Sequence, residues 1–319
     1  MTIPNASSCK TQLTADAAIL LFTWGLVGIA FLFPQRVQSH EGSMLGLLAV
    51  AVFYPVASLL TYLAKNESVS TLLRTIVIMS TLSFLFGAVA PFQHVLFDGW
   101  MDAILISWDN ALTGVEASSF LQRFAHPALT EWMMFAYVIY VPLLPLVSII
   151  CYRSAGAKAA NEYLVTLSLV DIACFAGFIL FPVAGPMFFI PEAFMEPLEG
   201  EIFTFIGEWM RTNLHYPGGC LPSPHCASAT VMIVMMYRYN RVLFWSLLPI
   251  VLTLYVSTVY GRYHYSWDGV AGILLSLLVL KSRNRFVWVT GKFMHWIRKE
   301  AELHSRKIEP RLTWKEDVP

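Results

Sequence analysis

The sequence predicts an all-α fold, a polytopic membrane helix bundle of about eight transmembrane helices. The first observation behind this prediction is composition: 57% of the 319 residues are apolar and only 13% are charged, about half the charged share of a soluble domain. The second is that apolar runs of about 20 residues, the length that crosses a bilayer, recur along the chain. The third is a formal net charge of zero, with 21 basic and 21 acidic residues. This balance argues against both a soluble protein and a nucleic-acid binder.

Eight apolar runs are predicted to span the membrane. They cover residues 17–33, 44–64, 72–90, 128–152, 163–181, 225–239, 243–260 and 268–289. The first run has no small-residue cleavage site after it, so we expect a retained helix and not a signal peptide. The sixth is short enough to be a buried helix instead. We therefore expect one bundle over residues 1–290 and a cytoplasmic basic tail over residues 291–319.

The distribution of basic residues predicts the orientation, because cytoplasmic segments are enriched in lysine and arginine. With eight spans both termini lie on one side, and that side collects 17 of the 21 basic residues. The other side holds only Arg36, Arg123, Arg211 and Arg262. Both termini are therefore expected to be cytoplasmic. The long outward connection 92–127 is either a helix in the membrane interface or an ordinary loop, and both interpretations stay open.

The first segment that concentrates polar chemistry precedes the sixth run and reads GGCLPSPH over residues 218–225. Ser223 is a favourable N-cap, and Pro224 suits the first helical position. The next backbone N–H groups, including those of His225 and Cys226, have no helical acceptor and are expected to bind an anion such as phosphate. Taken alone, His225 is more often bonded to a lipid headgroup or water. A disulfide between Cys220 and Cys226 also stays open.

The second segment joins the seventh and eighth runs and reads YGRYHYSWD over residues 260–268. His264 and Asp268 are four residues apart, so they share a face if the stretch is helical. A carboxylate bonded to one imidazole nitrogen fixes the tautomer and leaves the other nitrogen able to attack. Arg262 adds a forked donor set that suits phosphate oxygens. The alternative is an interfacial aromatic belt in which Arg262 meets lipid headgroups.

Together the two segments, both expected at the outward face, supply two histidines, an aspartate, an arginine and an anion-binding helix start. This set predicts phosphoryl transfer through a phosphohistidine, in which one histidine attacks phosphorus and the other protonates the leaving oxygen. Such a scheme needs no metal, so we expect no cofactor, although the same His-His-Asp set could bind zinc. Two other classes stay open. One is a transporter or lipid-binding protein whose histidines bind protons or ligand; the other is a haem protein ligated by His225 and His264.

The two segments resemble motifs of the type 2 phosphatidic acid phosphatase superfamily. The family's Pro-Ser-Gly-His motif is similar to residues 222–225, in which Pro224 replaces the glycine. A second motif matches in the spacing of Ser257, His264 and Asp268, but Thr258 stands where the family has arginine. The family's remaining Lys and Arg-Pro motif is absent. These departures look like those of the inositol phosphorylceramide synthase branch and its bacterial relatives.

The resemblance implies a six-helix-type phosphatase core in the C-terminal half, with the catalytic motifs within residues 161–280. It implies that His264 is the nucleophile, Asp268 its orienting partner and His225 the general acid, with Ser223 among the phosphate-binding groups. Arg262 matches no arginine of the family motif, so its phosphate-binding role rests on the chemistry of its side chain. Arg211 and His215 are considered as replacements for the missing basic pair, although ordinary loop residues are the simpler interpretation.

The expected function is therefore that of a membrane-embedded lipid phosphatase or phosphotransferase acting on a lipid phosphate or a lipid-linked phosphodiester. The expected partners are that lipid, the surrounding membrane lipids and a hydroxyl acceptor, with no nucleic acid. We expect an integral multi-pass protein of a plasma, inner or endomembrane, with its active site on the outer or lumenal face. Asp171, in the middle of the fifth run, either lines an acyl-chain cleft or bonds a neighbouring hydroxyl.

Overall fold

The computed structural model describes residues 6–37, 41–194 and 197–308, and within these ranges the protein is all-helical, with no strand. The predicted all-α class is confirmed. The helices are α1 Ala6–Leu32, α2 Glu41–Leu63, α3 Glu67–Ala88, α4 Asp102–Thr113, α5 Ala117–Leu121, α6 Pro127–Leu180, α7 Pro186–Phe189, α8 Ile202–Leu214, α9 Pro224–Tyr239, α10 Arg241–Tyr260 and α11 Ser266–Ile308.

The longest helix, α6, consists of two helices joined at a sharp reversal. Ala155 and Gly156 have non-helical backbone angles, and Gly156 has a φ of 76°. The Tyr163 hydroxyl donates to the Leu144 carbonyl at 3.0 Å. In a straight helix 19 residues would separate the two by about 28 Å. The chain therefore doubles back at Gly156, and the two halves correspond to the predicted fourth and fifth runs.

Among the described residues, five helices are long and apolar enough to cross a membrane. They are Thr11–Leu32, Ser43–Leu63, Glu67–Phe92, Pro127–Leu180 and Arg241–Tyr260. These correspond to the first five predicted runs and to the seventh. Helix α9 has only 16 residues, fewer than a bilayer core requires, and the predicted run 268–289 carries four charged residues. The helices are consistent with a membrane protein, whereas the count of about eight spans and the side of the termini stay predictions.

Two helix boundaries differ from the prediction. Helix α1 begins at Ala6 and not near residue 17, because no proline or glycine interrupts the intervening polar residues. Helix α11 continues past residue 290 to Ile308 for a similar reason, since Gly291 is the only helix-breaking residue type after Lys281 in that helix. The separate tail over residues 291–319 stays a prediction, and residues 309–319 lie outside the described ones. The long connections also contain helices, namely α4 and α5 in the first and α7 and α8 in the second.

Helix α9 lies at the centre of the C-terminal half, between α6, α10 and α11. Its small residues Ala227, Ser228 and Ala229 are all buried. Gly272 of α11 comes so close that a Cβ there would lie 2.4 Å from the Ser223 carbonyl oxygen. This close packing brings the start of α9 against the start of α11, which is where the two predicted segments lie.

Two open points of the sequence are resolved by the core. Asp171 accepts a hydrogen bond from the Ser228 hydroxyl of α9, so it bonds a neighbouring hydroxyl and ties the second half of α6 to α9. Cys220 and Cys226 are both buried free thiols with no disulfide between them.

Candidate active site

The structure brings both histidines and the aspartate of the two predicted segments into one line. Asp268 lies in the first turn of α11, and His264 lies just before that helix. The Nδ1 atom of His264 is 3.3 Å from Asp268 Oδ2, and its Nε2 atom is 3.4 Å from Nδ1 of His225. Asp268 is fully buried and His264 is 3% exposed. The Asp268 carboxylate therefore lies next to one ring nitrogen of His264, and the His225 imidazole lies next to the other.

A helix-ending turn places His264. The N–H of Arg262 donates to the Val259 carbonyl, and the N–H of Tyr263 donates to the Thr258 carbonyl. With Arg262 at a φ of 68°, these two bonds make a Schellman motif at the end of α10. The N–H of His264 donates to the same Thr258 carbonyl. The turn thus directs the chain back across the end of α10 before α11 begins.

The start of α9 is held by Ser223 and by Asp268. Ser223 Oγ accepts from the Cys226 N–H at 3.4 Å, which confirms the predicted N-cap. The Ser223 N–H donates to the Asp268 carbonyl at 2.9 Å, so the two segments are joined through backbone as well as side chains. The Cys226 N–H has no helical acceptor, as expected, but the Ser223 side chain takes this donor, so it is not free to bind an anion.

A small cavity of about 20 Å³ adjoins the histidines, with room for about one water molecule. Its wall includes His215, Gly218, Gly219, Cys220, His225 and His264. Neither Ser223 nor Arg262 belongs to its described wall. The structure therefore brings three histidines to one cavity and leaves the two predicted phosphate-binding side chains outside its lining.

Arg262 is half-buried beside the site. Its guanidinium lies over the Phe194 ring, 4.7 Å from the ring centroid. Burial lowers the pKa of Arg262, and the neighbouring charges are those of Arg211 and Glu208. Arg211 itself pairs with Glu208 on α8. The arginine is thus two residues from His264 in sequence, but its charge is directed towards α8.

His215, which the sequence argument set aside as a loop residue, lies in the cavity wall. Its Nδ1 is 3.2 Å from the Met210 carbonyl, and its Nε2 is 2.8 Å from the Tyr137 hydroxyl. Because a carbonyl only accepts, Nδ1 carries the proton and Nε2 accepts from Tyr137. Burial lowers the pKa of His215, which favours this neutral tautomer. The sequence signal for it was its place in the outward connection, as one of two candidates to replace the missing basic pair.

Stacked aromatic rings hold the second histidine. The Tyr137 ring packs on His225 with centroids 5.0 Å apart, and on Tyr263 with centroids 4.4 Å apart. Tyr140 packs against His225 from a tilted angle. Tyr137 and Tyr140 both belong to α6. The long helix therefore sets the ring plane of His225, the histidine at the start of α9.

The same region has one arrangement that fits a metal ion. Cys220, His264 and Asp268 each offer a ligand atom, and these atoms lie within 4.8 Å of one another. Among the described residues, Asp268 Oδ1 has no hydrogen-bond partner. In this set Cys220 takes the place of His225 in the His-His-Asp zinc set that was considered from the sequence. The expectation that the protein uses no cofactor stays a prediction.

A carboxylate, an imidazole and a second imidazole in line define a class of site, in which a histidine nucleophile has an orienting partner and a proton donor. A family model described as PAP2 superfamily matches residues 103–281, a range that includes all five predicted site residues. The match covers more than half of the chain, and the protein belongs to the PAP2 superfamily, whose name stands for type 2 phosphatidic acid phosphatase. No curated protein and no solved structure matches it. Family membership supports a phosphatase-type enzyme.

Proposed function

We propose that the protein is a membrane-embedded lipid phosphatase or phosphotransferase that forms a phosphohistidine on His264. The observation that carries the proposal is the line of Asp268, His264 and His225, with gaps of 3.3 and 3.4 Å. Phosphatase-type chemistry follows from the family. We further propose the phosphohistidine intermediate, the lipid substrate and the hydroxyl or water acceptor. A relation to the inositol phosphorylceramide synthase branch is also part of the proposal.

The first half-reaction assigns one role to each side chain. Asp268 accepts a hydrogen bond from the Nδ1–H of His264, which keeps the lone pair on Nε2 and orients the ring. Nε2 attacks phosphorus, and a nitrogen–phosphorus bond forms as the bond from phosphorus to the leaving oxygen breaks. In this scheme His225 enters the step protonated, as the substrate's negative charge favours, and gives that proton to the leaving oxygen. The products are a phosphorylated His264, a neutral His225 and a released alcohol.

The second half-reaction restores the enzyme. His225 takes a proton from water or from a hydroxyl acceptor, whose oxygen attacks phosphorus as the nitrogen–phosphorus bond breaks. With water the products are inorganic phosphate and free enzyme, and with a lipid hydroxyl the product is a new phosphoester. The acceptor therefore decides between a phosphatase and a transferase, because both outcomes use the same residues.

The two histidines lie too close together for a phosphoryl group to fit between them. A reacting phosphorus must approach Nε2 to about 3–3.5 Å before attack, and His225 Nδ1 already lies 3.4 Å from that atom. The adjoining cavity of about 20 Å³ holds about one water and is too small for a phosphoryl group. The proposal therefore requires the His225 ring to turn aside and the cavity to widen as substrate binds.

Ser223 and Arg262 are proposed to assist phosphoryl transfer in different ways. Ser223 fixes the start of α9 and so the position of His225. Arg262 contributes a cation two residues from His264 in the chain, and its guanidinium lies over the Phe194 ring. The cost of its left-handed backbone supports a role for this arginine, since strained residues cluster at functional sites.

A lipid substrate and an outward-facing site complete the proposal. Large apolar side chains are exposed on the apolar helices, with Phe31 79% and Phe53 67% exposed, and a surface of this kind fits lipid contact. The excess of basic residues on the side of the termini supports cytoplasmic termini. The two motif segments then lie on the opposite face, where a lipid headgroup of the outer or lumenal leaflet has access.

The test is turnover of a lipid panel by purified His264→Ala. The panel contains phosphatidic acid and phosphatidylinositol in detergent micelles, each with and without a long-chain alcohol, and both free phosphate and lipid products are followed. We expect His264→Ala to lose at least about 1,000-fold in turnover, as nucleophile deletions do. The matched control is His295→Ala, which changes an exposed histidine of α11.

Trapping completes the experiment. The wild type is expected to form an acid-labile phosphoenzyme with labelled substrate, and His264→Ala is expected to form none. Unchanged turnover in His264→Ala would overturn the proposal. A transporter or lipid-binding protein instead predicts tight lipid binding with no turnover in any variant, so the same panel separates the two classes.

A further inference from the structure

A buried carboxylate outside the matched family region is bonded to the residue that follows His264. Asp102 begins α4, one residue before the matched range 103–281. Its Oδ1 atom accepts from the Tyr265 hydroxyl at 2.9 Å, and both side chains are fully buried. A buried charge is retained only where several donors compensate for its lost hydration.

Tyr265 connects this carboxylate to the catalytic one. Its backbone N–H donates to Asp268 Oδ2 at 3.0 Å, the same oxygen that lies 3.3 Å from His264 Nδ1. One tyrosine thus bonds Asp102 through its side chain and Asp268 through its backbone. Displacement of the Tyr265 ring would move the N–H that orients the Asp268 carboxylate, and with it the preferred direction of the His264 ring.

Asp102 also holds the opposite wall of the site. The N–H groups of Ala184 and Gly185 donate to its two oxygens at 2.8 and 2.9 Å. The Ala184 carbonyl accepts from the Gly218 N–H at 3.1 Å. Gly185 packs tightly as well, because a Cβ at its φ of 94° would lie 2.9 Å from the Tyr263 carbonyl oxygen.

We propose that Asp102 is a positioning residue for the phosphoryl-transfer reaction, acting through Tyr265 on Asp268 and through Ala184 and Gly185 on the cavity wall. The inference rests on the proposed function, because it concerns the orientation of the nucleophile. Asp102 touches neither His264 nor the cavity, so it acts only by holding other groups in place. An aspartate suits this position because its two oxygens accept three donors at once.

The first variant is Tyr265→Phe, which removes one hydroxyl and leaves the ring and the backbone N–H. Turnover of phosphatidic acid and phosphatidylinositol micelles is measured at saturating and limiting lipid. We expect kcat to fall about 10- to 100-fold with KM nearly unchanged, since a small misplacement of a reacting group costs up to about 100-fold. A matched control is Tyr54→Phe, which removes a buried tyrosine hydroxyl that donates to Asp16 at 2.8 Å, away from the site.

The second variant is Asp102→Asn, alone and combined with Tyr265→Phe. If both act through one hydrogen bond, the double variant loses much less than the product of the two single losses. A purely structural role predicts a lower unfolding midpoint and less active protein, but an unchanged kcat for the folded fraction. That result, or a wild-type kcat in Tyr265→Phe, would overturn the inference.

His264→Ala is measured beside these variants to separate the two proposals. Retained turnover in His264→Ala overturns the proposed function, whatever Asp102 does. Loss of turnover in His264→Ala with full kcat in Tyr265→Phe overturns only the positioning role. Loss in both, with Tyr54→Phe unaffected, supports both.

Discussion

Arg262 occupies a backbone conformation that glycine adopts more easily. Its φ of 68° is left-handed, which costs a residue with a side chain about 1–2 kcal/mol, and the equivalent position of a Schellman motif is usually glycine. The chain nevertheless has arginine there, two residues before His264. A side chain kept against this cost is expected to be needed for its charge.

Replacement of Arg262 separates the conformational cost of its backbone from the contribution of its charge to the reaction. Arg262→Gly is expected to leave the free energy of unfolding unchanged or to raise it by up to about 1 kcal/mol, while kcat/KM for a lipid phosphate falls about 10-fold or more. Arg262→Asn is the control, because asparagine tolerates the left-handed region but has no charge. An Arg262→Gly protein with full kcat/KM would show that the guanidinium does not serve the reaction.

Helix α9 depends on its cap. Ser223 Oγ accepts from the Cys226 N–H, and the capped turn carries His225. Ser223→Ala is expected to cost about 1 kcal/mol of stability, whereas Ser223→Gly is expected to cost only a few tenths. Denaturation of the purified variants in detergent measures both. Equal costs for the two would mean that the hydroxyl is not acting as a cap.

Helix α8 is capped from outside its own sequence. Its flanking residue Glu201 makes no side-chain cap bond. Glu131 of α6 instead accepts from the N–H groups of Glu201, Phe203 and Thr204 and from the Thr204 hydroxyl. The helix that ends at the cavity residue His215 is therefore fixed to α6 at its other end.

Loss of this cap is expected to loosen α8 and not the rest of the bundle. Glu131→Ala removes the acceptor of three backbone N–H groups and a hydroxyl at the start of α8, and loss of an N-cap acceptor costs about 0.5–2 kcal/mol. Hydrogen exchange should speed up for amides of residues 202–214 and stay unchanged in α9. Glu199→Ala, at an exposed glutamate of the same connection, is the control. Equal exchange in the two variants would contradict this account.

The N-terminal helices contain a buried ion pair outside the matched family region. Arg74 of α3 donates to Asp16 of α1 at 3.0 Å, and Tyr54 and Tyr62 of α2 donate to the same carboxylate. Arg74 is 2% exposed and Asp16 is 7% exposed. The network joins all three helices, of which α1 and α3 pack against α6.

Breaking one side of this pair should destabilise the whole molecule. Arg74→Met is expected to cost about 3–5 kcal/mol, because it leaves Asp16 charged and buried. Asp16→Asn combined with Arg74→Met should recover most of that loss, since no uncompensated charge remains. Thermal unfolding in detergent measures both. A double variant less stable than the single one would show that the pair is net stabilising in this bundle.

The orientation of the whole chain is tested by labelling. If the termini are cytoplasmic, an impermeant maleimide should reach Arg123→Cys in intact cells and reach His295→Cys only after permeabilisation. Arg123 and His295 are both exposed, and Cys9→Ser removes the native thiol nearest the N-terminus. The reverse labelling pattern would place the site on the cytoplasmic face.

Much of the fold and the centre of the site could be predicted because the responsible interactions are local. Apolar run lengths predicted the helices, and the cap of α9 followed from Ser223 and Pro224. The four-residue spacing of His264 and Asp268 predicted that they meet, although His264 lies before α11 begins at Ser266 and not on a shared helix face. A helix in the connection 92–127 was one of two open interpretations, whereas α8 in the second long connection was missed because its apolar residues form one face and not a run.

Other features depend on residues far apart in sequence and could not be predicted. The bond from Asp102 to Tyr265 spans 163 residues, and that from Gln93 to the Gly219 N–H spans 126. The direction of the Arg262 guanidinium and the place of His215 in the cavity wall depend on how α8 packs on α6. The hydrophobic periodicity of the sequence does not specify contacts between residues so far apart in the chain.

By itself, the sequence determined an apolar all-helical chain and two segments that concentrate histidine, aspartate and arginine, because helix formation, capping and short-range contacts act within a few residues. Only the tertiary structure decided that His225 meets His264, that a third histidine lines the cavity and that Asp102 holds the turn between α10 and α11. The physical reason is that these contacts come from close packing of helices distant in the chain, and close packing depends on side-chain shape on every surface at once.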